Sequence, residues 1–197
     1  SAGVDLGGVA VPATMGGHDS FDVLEFRAAE TLTPAPEPAW SPSSHTGDDA
    51  LVEAEAATTR KFELEEREIN GERMDMNRID EVAYVGDTEV WEVRSKQPIP
   101  HSFHIHDVQF EVLSVDGEAP PVEMSGRKDT IYLEPNRDYR LLMRFEDFAD
   151  PTMPYMYHCH MLLHEDEGMM GQFVVIERGQ EAEVGVPAGH DGAGHEH

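Results

Sequence analysis

Residues 158–169 read His-Cys-His-Met-Leu-Leu-His-Glu-Asp-Glu-Gly-Met and enclose Cys159, the one cysteine in a chain of 197 residues. A thiol flanked by His158 and His160, with His164 and Met169 close behind, offers most of a soft-metal ligand set in one stretch. A second cluster, His101-Ser-Phe-His104-Ile-His106, supplies partners for it. One thiolate, two imidazoles and a weak thioether suit a blue electron-transfer copper, whereas structural zinc favours several cysteines in a closed tetrahedral shell. A single cysteine does not build that shell, so the chemistry indicated is that of copper.

The elements that carry these residues sort them further, because successive side chains on a strand point to opposite faces. If residues 155–160 are extended, His158 and His160 share one face and Cys159 takes the other. The same rule on residues 101–106 pairs His104 with His106 and sets His101 opposite. On one side, His101 and Cys159 can be completed by His164 and Met169 from the loop that follows. On the other side lie His104, His106, His158 and His160, four imidazoles without sulfur, part of a multinuclear copper or dioxygen-handling site. The Cys159 backbone joins the two, a covalent path for an electron. Isolated methionines such as Met143 and Met156 read as packing. One other reading starts from His104-x-His106 followed by Glu111, which is similar to part of the cupin signature for iron, manganese or nickel. It misplaces the glycines and leaves His-Cys-His unexplained.

Short strand-like runs separated by turn signals occupy the middle of the chain. They are Phe62–Glu66, Glu81–Val85, Thr88–Arg94, Val108–Val115, Thr130–Leu133, Tyr139–Phe145, Tyr155–His160 and Gln172–Ile176. Turns are expected at Asn70-Gly71, Gly86-Asp87, Asp116-Gly117 and Pro135-Asn136. Regular short strands with this punctuation predict an all-β, Greek-key sandwich or barrel. Upstream, Phe21–Phe26 reads as a short strand without a local partner, and residues 31–59 as a Pro/Ser-rich linker with a helical piece near Asp48–Thr58. Residues 178–197 form a Gly-, Glu- and His-rich tail that is expected to be disordered; His190, His195 and His197 read as solvated there.

The formal charge is −26, from 40 acidic and 14 basic residues. Such a field repels phosphate backbones and anionic lipid heads, which argues against nucleic-acid and membrane-surface roles. It serves either to keep the protein soluble in a salty medium or to gather metal cations. One cysteine rules out an intramolecular disulfide framework. No apolar run reaches the roughly 20 residues of a membrane span, and the first residues lack a signal-peptide pattern.

Together, His-x-Phe-His-Ile-His and His-Cys-His-x-x-x-His-x-x-x-x-Met resemble the last two copper motifs of the multicopper oxidases: laccases, bilirubin oxidases and copper-efflux oxidases. The resemblance spans about residues 60–177 and extends to Ile69-Asn-Gly, Asp75-Met-Asn, Lys128-Asp-Thr and Gly168-Met-Met. It implies a cupredoxin-like C-terminal domain at 60–177, preceded by the end of another cupredoxin domain within residues 1–30. By position, it implies type 1 copper ligands at His101, Cys159, His164 and Met169, a type 2 ligand at His104, and type 3 ligands at His106, His158 and His160. In that family the type 1 copper accepts single electrons from a reducing substrate, and a trinuclear copper cluster turns dioxygen into water. Glu165 resembles a carboxylate that helps deliver protons there; an acid on a solvated loop is the alternative.

The cluster in that family takes half its histidines from His-x-His motifs of an N-terminal cupredoxin domain. Before residue 101 this chain has only His18 and His45. The resemblance therefore implies half a trinuclear cluster, with N-terminal cupredoxin domains of the same enzyme as partners and no activity for the chain alone. Gln97-Pro-Ile-Pro100 stands where cuprous-specific members carry an acid and a methionine. That departs from cuprous specificity: the reductant expected is phenolic, aryl-amine or tetrapyrrole, with a metal ion as the alternative, in a periplasmic or extracellular setting. A stand-alone blue-copper carrier or copper-binding cupredoxin without oxidase activity is the alternative function; it has no use for four imidazoles on the far face.

Overall fold

Alternation of apolar and polar residues is plainest where Phe62 and Leu64 are fully buried between exposed Lys61, Glu63 and Glu65. They belong to β1 (Ala56–Glu65), the first strand of a computed structural model that describes residues 51–183. The remaining strands are β2 (Glu68–Ile69), β3 (Glu81–Tyr84), β4 (Thr88–Ser95), β5 (His101–Ile105), β6 (Glu111–Val115), β7 (Thr130–Leu133), β8 (Asp138–Arg144), β9 (Tyr155–Cys159) and β10 (Met170–Ile176). One short helix, α1 (Leu162–Asp166), follows β9. The strands form two five-stranded sheets, ordered β2-β1-β4-β8-β6 and β3-β10-β9-β5-β7. Pairs β1–β4 and β3–β10 are parallel and the rest antiparallel, the crossing pattern of a Greek-key sandwich.

The turn chemistry follows the sequence. Asn70 and Gly71 have φ of 56° and 79°, and Asp116 and Gly117 have φ of 52° and 80°. Two consecutive left-handed residues make the two-residue hairpin turn that Asn-Gly and Asp-Gly favour.

Two expectations need correction. The helical piece near Asp48–Thr58 is, within the described residues, a three-residue 3-10 turn at Glu53–Glu55, and β1 already begins at Ala56. Its first half, Ala-Ala-Thr-Thr, buries little and is held by its parallel ladder to β4, from Ala56↔Thr88 onward. A ladder partner 32 residues away, Thr88 for Ala56, leaves no local apolar period to read. The linker expected to reach residue 59 therefore overlaps a strand. In addition, the stretch after Cys159, expected as a loop, contains α1. The expected strand Phe21–Phe26, the proline-rich stretch before residue 51 and the tail beyond residue 183 lie outside the described residues.

The sheets meet through aromatic rings. Trp91 on β4 lies 4.4 Å from Phe62, and edge-on at 5.7 Å from Tyr157 and 5.9 Å from Phe173. Tyr157 and Phe173 belong to the other sheet, so these contacts bridge the sandwich and are favourable beyond the area they bury. Gly171 faces Tyr157 across the β9–β10 ladder, and a Cβ there would lie 2.3 Å from the Tyr157 hydroxyl. Only glycine lets that ring lie across the strand.

A buried ion pair also ties the layers. Glu89, 1% exposed, accepts from Arg60 Nε and Nη2 at 2.6 and 2.8 Å, and from Trp91 Nε1 at 2.9 Å. Arg60 also pairs with Glu81 and donates to Val82 O at 2.6 Å, reaching β3 of the second sheet.

Candidate metal centres

β5 and β9 are neighbours in the second sheet, in the register Phe103↔Cys159, His104↔His158 and Ile105↔Tyr157. The pleat then sends His101, Phe103, Ile105, Tyr157 and Cys159 towards the core, and His104 and His158 to the opposite face. The split expected from strand parity holds.

On the core side, Cys159 Sγ lies 3.5 Å from His101 Nδ1 and 3.5 Å from His164 Nδ1, and the two nitrogens are 3.2 Å apart. The three residues are at most 1% exposed. A triangle with these edges has a centre about 2 Å from each corner. That is close to the ~2.0–2.3 Å bonds of a first-row divalent metal to imidazole and thiolate. α1 folds His164 back: its N–H donates to Met161 O at 2.8 Å, and Met169 N–H donates to His164 O at 2.9 Å. Cys159 N–H donates to Met169 O at 3.1 Å, so the fully buried Met169 is tied to both other residues of its loop.

The protonation states suit a metal. Burial, followed by His164 and Arg67, lowers His101 to about pKa 4, and burial likewise lowers His164. Both rings are neutral at pH 7, the form that ligates. Burial pushes the Cys159 thiol up, against N–H donors from the Met161 and Ser102 backbones. A bound cation overturns that preference by deprotonating a coordinating thiol outright.

On the opposite face, one donor atom each from His104, His106 and His158 lies within 4.8 Å of the others. His158 Nε2 and His106 Nε2 are 3.3 Å apart. The His160 ring joins them at 5.5 Å from His104 and 5.3 Å from His158. Burial is the first cause lowering both His106 and His158, with neighbouring imidazoles adding to it.

Anchors behind the rings aim them. His104 Nδ1 lies 2.9 Å from Asp129 O, which can only accept, so Nδ1 carries the proton and Nε2 presents its lone pair. His158 Nδ1 faces Cys159 O at 3.3 Å and Glu165 Oε2 at 3.4 Å, leaving Nε2 to the cluster. Histidine ligands are commonly held by a carbonyl or carboxylate in this way. α1 thus serves both sides, with His164 in the first group and Glu165 against the second. The Glu165 side chain is 32% exposed, but its Oε2 is buried and has no hydrogen bond of good geometry. Three contributors were not legible beforehand: the Asp129 carbonyl, the amides of Ser102 and Met161 at the sulfur, and Arg67, whose charge acts on His101 and His164. Backbone donors carry no residue-type signal, and Arg67 is held by an ion pair with Glu167, 100 residues away in sequence.

A Greek-key sandwich with a buried Cys-His-His group inside and a histidine patch on the reverse of the same two strands defines a cupredoxin-type copper domain. Comparison with known proteins agrees. The sequence pattern of the multicopper oxidases matches residues 46–179, and the chain belongs to that family. It is 48% identical over 111 residues to the multicopper oxidase mco of Staphylococcus haemolyticus, covering 54% of this chain and 24% of that protein. It is 38% identical over 128 residues to the cell division protein FtsP of Dickeya dadantii, covering 64% and 26%. A solved laccase-like multicopper oxidase of Ochrobactrum sp., described as oxidising lignin model compounds and lignosulfonate, superposes with a TM-score of 0.60 at 37% identity. That match covers 66% of this chain and 33% of that one. The chain thus spans about a quarter of the length of these curated relatives. Among the described residues, no helix is long and apolar enough to cross a membrane.

Proposed function

We propose that this chain is the C-terminal copper-binding part of a laccase-like multicopper oxidase. The observation that carries this reading is two donor groups on opposite faces of one strand pair, joined through His158-Cys159-His160. Bound at these positions, copper supplies one-electron oxidation of a reductant at a type 1 site and four-electron reduction of dioxygen to water at a trinuclear cluster.

The residues divide the work. His101, Cys159 and His164, with Met169, form a buried pocket that excludes water and holds the soft ligand set. His104, His106, His158 and His160 offer imidazoles for type 2 and type 3 positions. Cys159 carries electrons along its own backbone to the histidines on either side. Glu165, against His158 Nδ1, is placed to hand protons towards the second face. The remaining histidines come from N-terminal cupredoxin domains of the same enzyme, which makes residues 60–177 the C-terminal domain and residues 1–30 the end of the domain before it. Phenolic, aryl-amine or tetrapyrrole donors are the substrates we favour over a metal ion, in line with the lignin compounds named for the Ochrobactrum oxidase. The compartment is periplasmic or extracellular, to be checked by fractionating cells that make the full-length protein.

A carrier without oxidase activity has no role for the second group of imidazoles. FtsP, named for cell division, shows that family membership alone does not assign a reaction. The donor atoms do. Copper loading of this chain should give an intense blue absorption that disappears in Cys159→Ser; a colourless copper-bound protein rejects the type 1 assignment. Oxygen uptake should require addition of the N-terminal domains.

A further inference from the structure

His101 turns Nδ1 towards Cys159 Sγ and His164 Nδ1. An imidazole that gives Nδ1 to a metal keeps its proton on Nε2, which then needs an acceptor. His101 Nε2 is buried on a residue 0% exposed and has no hydrogen-bond partner.

Three other buried side-chain atoms among the described residues lack a partner, and all are oxygens: Gln97 Oε1, Ser114 Oγ and Glu165 Oε2. Ser114 lies on β6, the outer strand of the other sheet. Glu165 Oε2 faces His158. Gln97 stands four residues before His101, in the turn from β4 to β5. That turn is folded back on buried Ser95, whose Oγ donates to Ile99 O at 3.1 Å and accepts from Gln97 N–H at 3.5 Å. These two bonds hold the Gln97 backbone within four residues of His101, the first residue of β5.

We propose that in the copper-loaded protein the Gln97 amide oxygen accepts a hydrogen bond from His101 Nε2–H, directly or through one water, and thereby tunes the potential of the cysteine-ligated copper. The inference rests on reading that group as a copper site. Gln97 is a positioning residue, acting through His101. Donation from Nε2–H makes the imidazole a more basic ligand. A more basic ligand favours the oxidised metal, so the bond lowers the potential. An amide has no proton to lose, so the acceptor is the same from acid to alkaline pH.

The test is redox titration and optical spectroscopy of the full 197-residue chain loaded with copper. Gln97→Leu should keep the blue band and raise the potential. Gln97→Glu should lower it below wild type and make it depend on pH, and Ser114→Ala should leave it unchanged. If Gln97→Leu does not fold, Gln97→Glu decides alone: a potential equal to wild type at every pH overturns the proposal. In the copper(I)-loaded wild type, histidine-selective ¹⁵N NMR should find a slowly exchanging His101 Nε2–H; a rapidly exchanging one counts against it. A blue wild type with unshifted Gln97 variants overturns this inference alone. A colourless wild type overturns the site reading and this inference with it.

Discussion

His101 and Cys159 are the residues on which burial and chemistry pull hardest against each other. Without metal, the core holds a neutral imidazole whose folded pKa of about 4 lies well below the roughly 6.5 of an unfolded histidine. The unfolded state then binds more protons below pH 6.5, so stability is fully present above that value and is lost as pH falls towards 4. Thermal unfolding of the metal-free chain should show a falling Tm across this window, to which His106, His158 and His164, lowered in the same direction, add. A Tm that is flat from pH 7 to 4.5 contradicts the buried-neutral assignment. Glu165 makes a separate prediction. If Glu165 hands protons towards the histidine face, as proposed, Glu165→Gln should keep the blue band yet slow oxygen uptake by the assembled enzyme roughly 10²-fold. Unchanged uptake would return Glu165 to the rank of a structural acid.

Ladders and layers decide whether those side chains meet at all. β9 is packed between β5 and β10, and its Tyr157 lies over Gly171. Gly171→Ala drives a methyl into that ring, and Tyr157 immediately precedes His158 and Cys159, which enter the two donor groups. Overpacking of this kind costs about 1–3 kcal/mol. The expected outcome is both a lower urea midpoint and a changed blue band, whereas a stability loss with an unaltered spectrum would uncouple the core from the site. Arg60 works at the same scale, joining β1, β4 and β3. Removing it in Arg60→Ala leaves the 1%-exposed Glu89 without its cation, a loss of about 3–5 kcal/mol by precedent for broken buried pairs. Equilibrium denaturation should read that loss directly, and a change under about 1 kcal/mol would show that the carboxylate finds other partners.

For the whole molecule, the charge of −26 sets the terms. Self-repulsion of that size destabilises a compact state, and salt shortens its range from about 10 Å at 0.1 M to about 3 Å at 1 M. Raising sodium chloride across this range should therefore raise Tm. A fall would mean that the many surface ion pairs, such as Lys96–Glu63 and Arg94–Asp138, outweigh the repulsion they sit in. Copper should add to Tm on top of salt, because it binds the folded ligand set in preference to the open chain.

The sequence by itself determined which atoms can hold copper and that they fall on two faces. Ligand type is a property of each residue, and strand parity depends on nothing beyond the local backbone. It also marked the turns at Asn70-Gly71 and Asp116-Gly117, since left-handed φ selects those residues locally. Tertiary structure decided the rest. Setting His104 opposite His158 takes a ladder between strands more than 50 residues apart. Aiming His104 takes the Asp129 carbonyl, brought in by β7. The β1 strand at Ala56 exists because β4 offers it an edge, and Glu165 meets His158 because α1 forms where a loop was expected. Long-range pairing and backbone donors leave no pattern in neighbouring residues, which is why they become visible only in the folded chain.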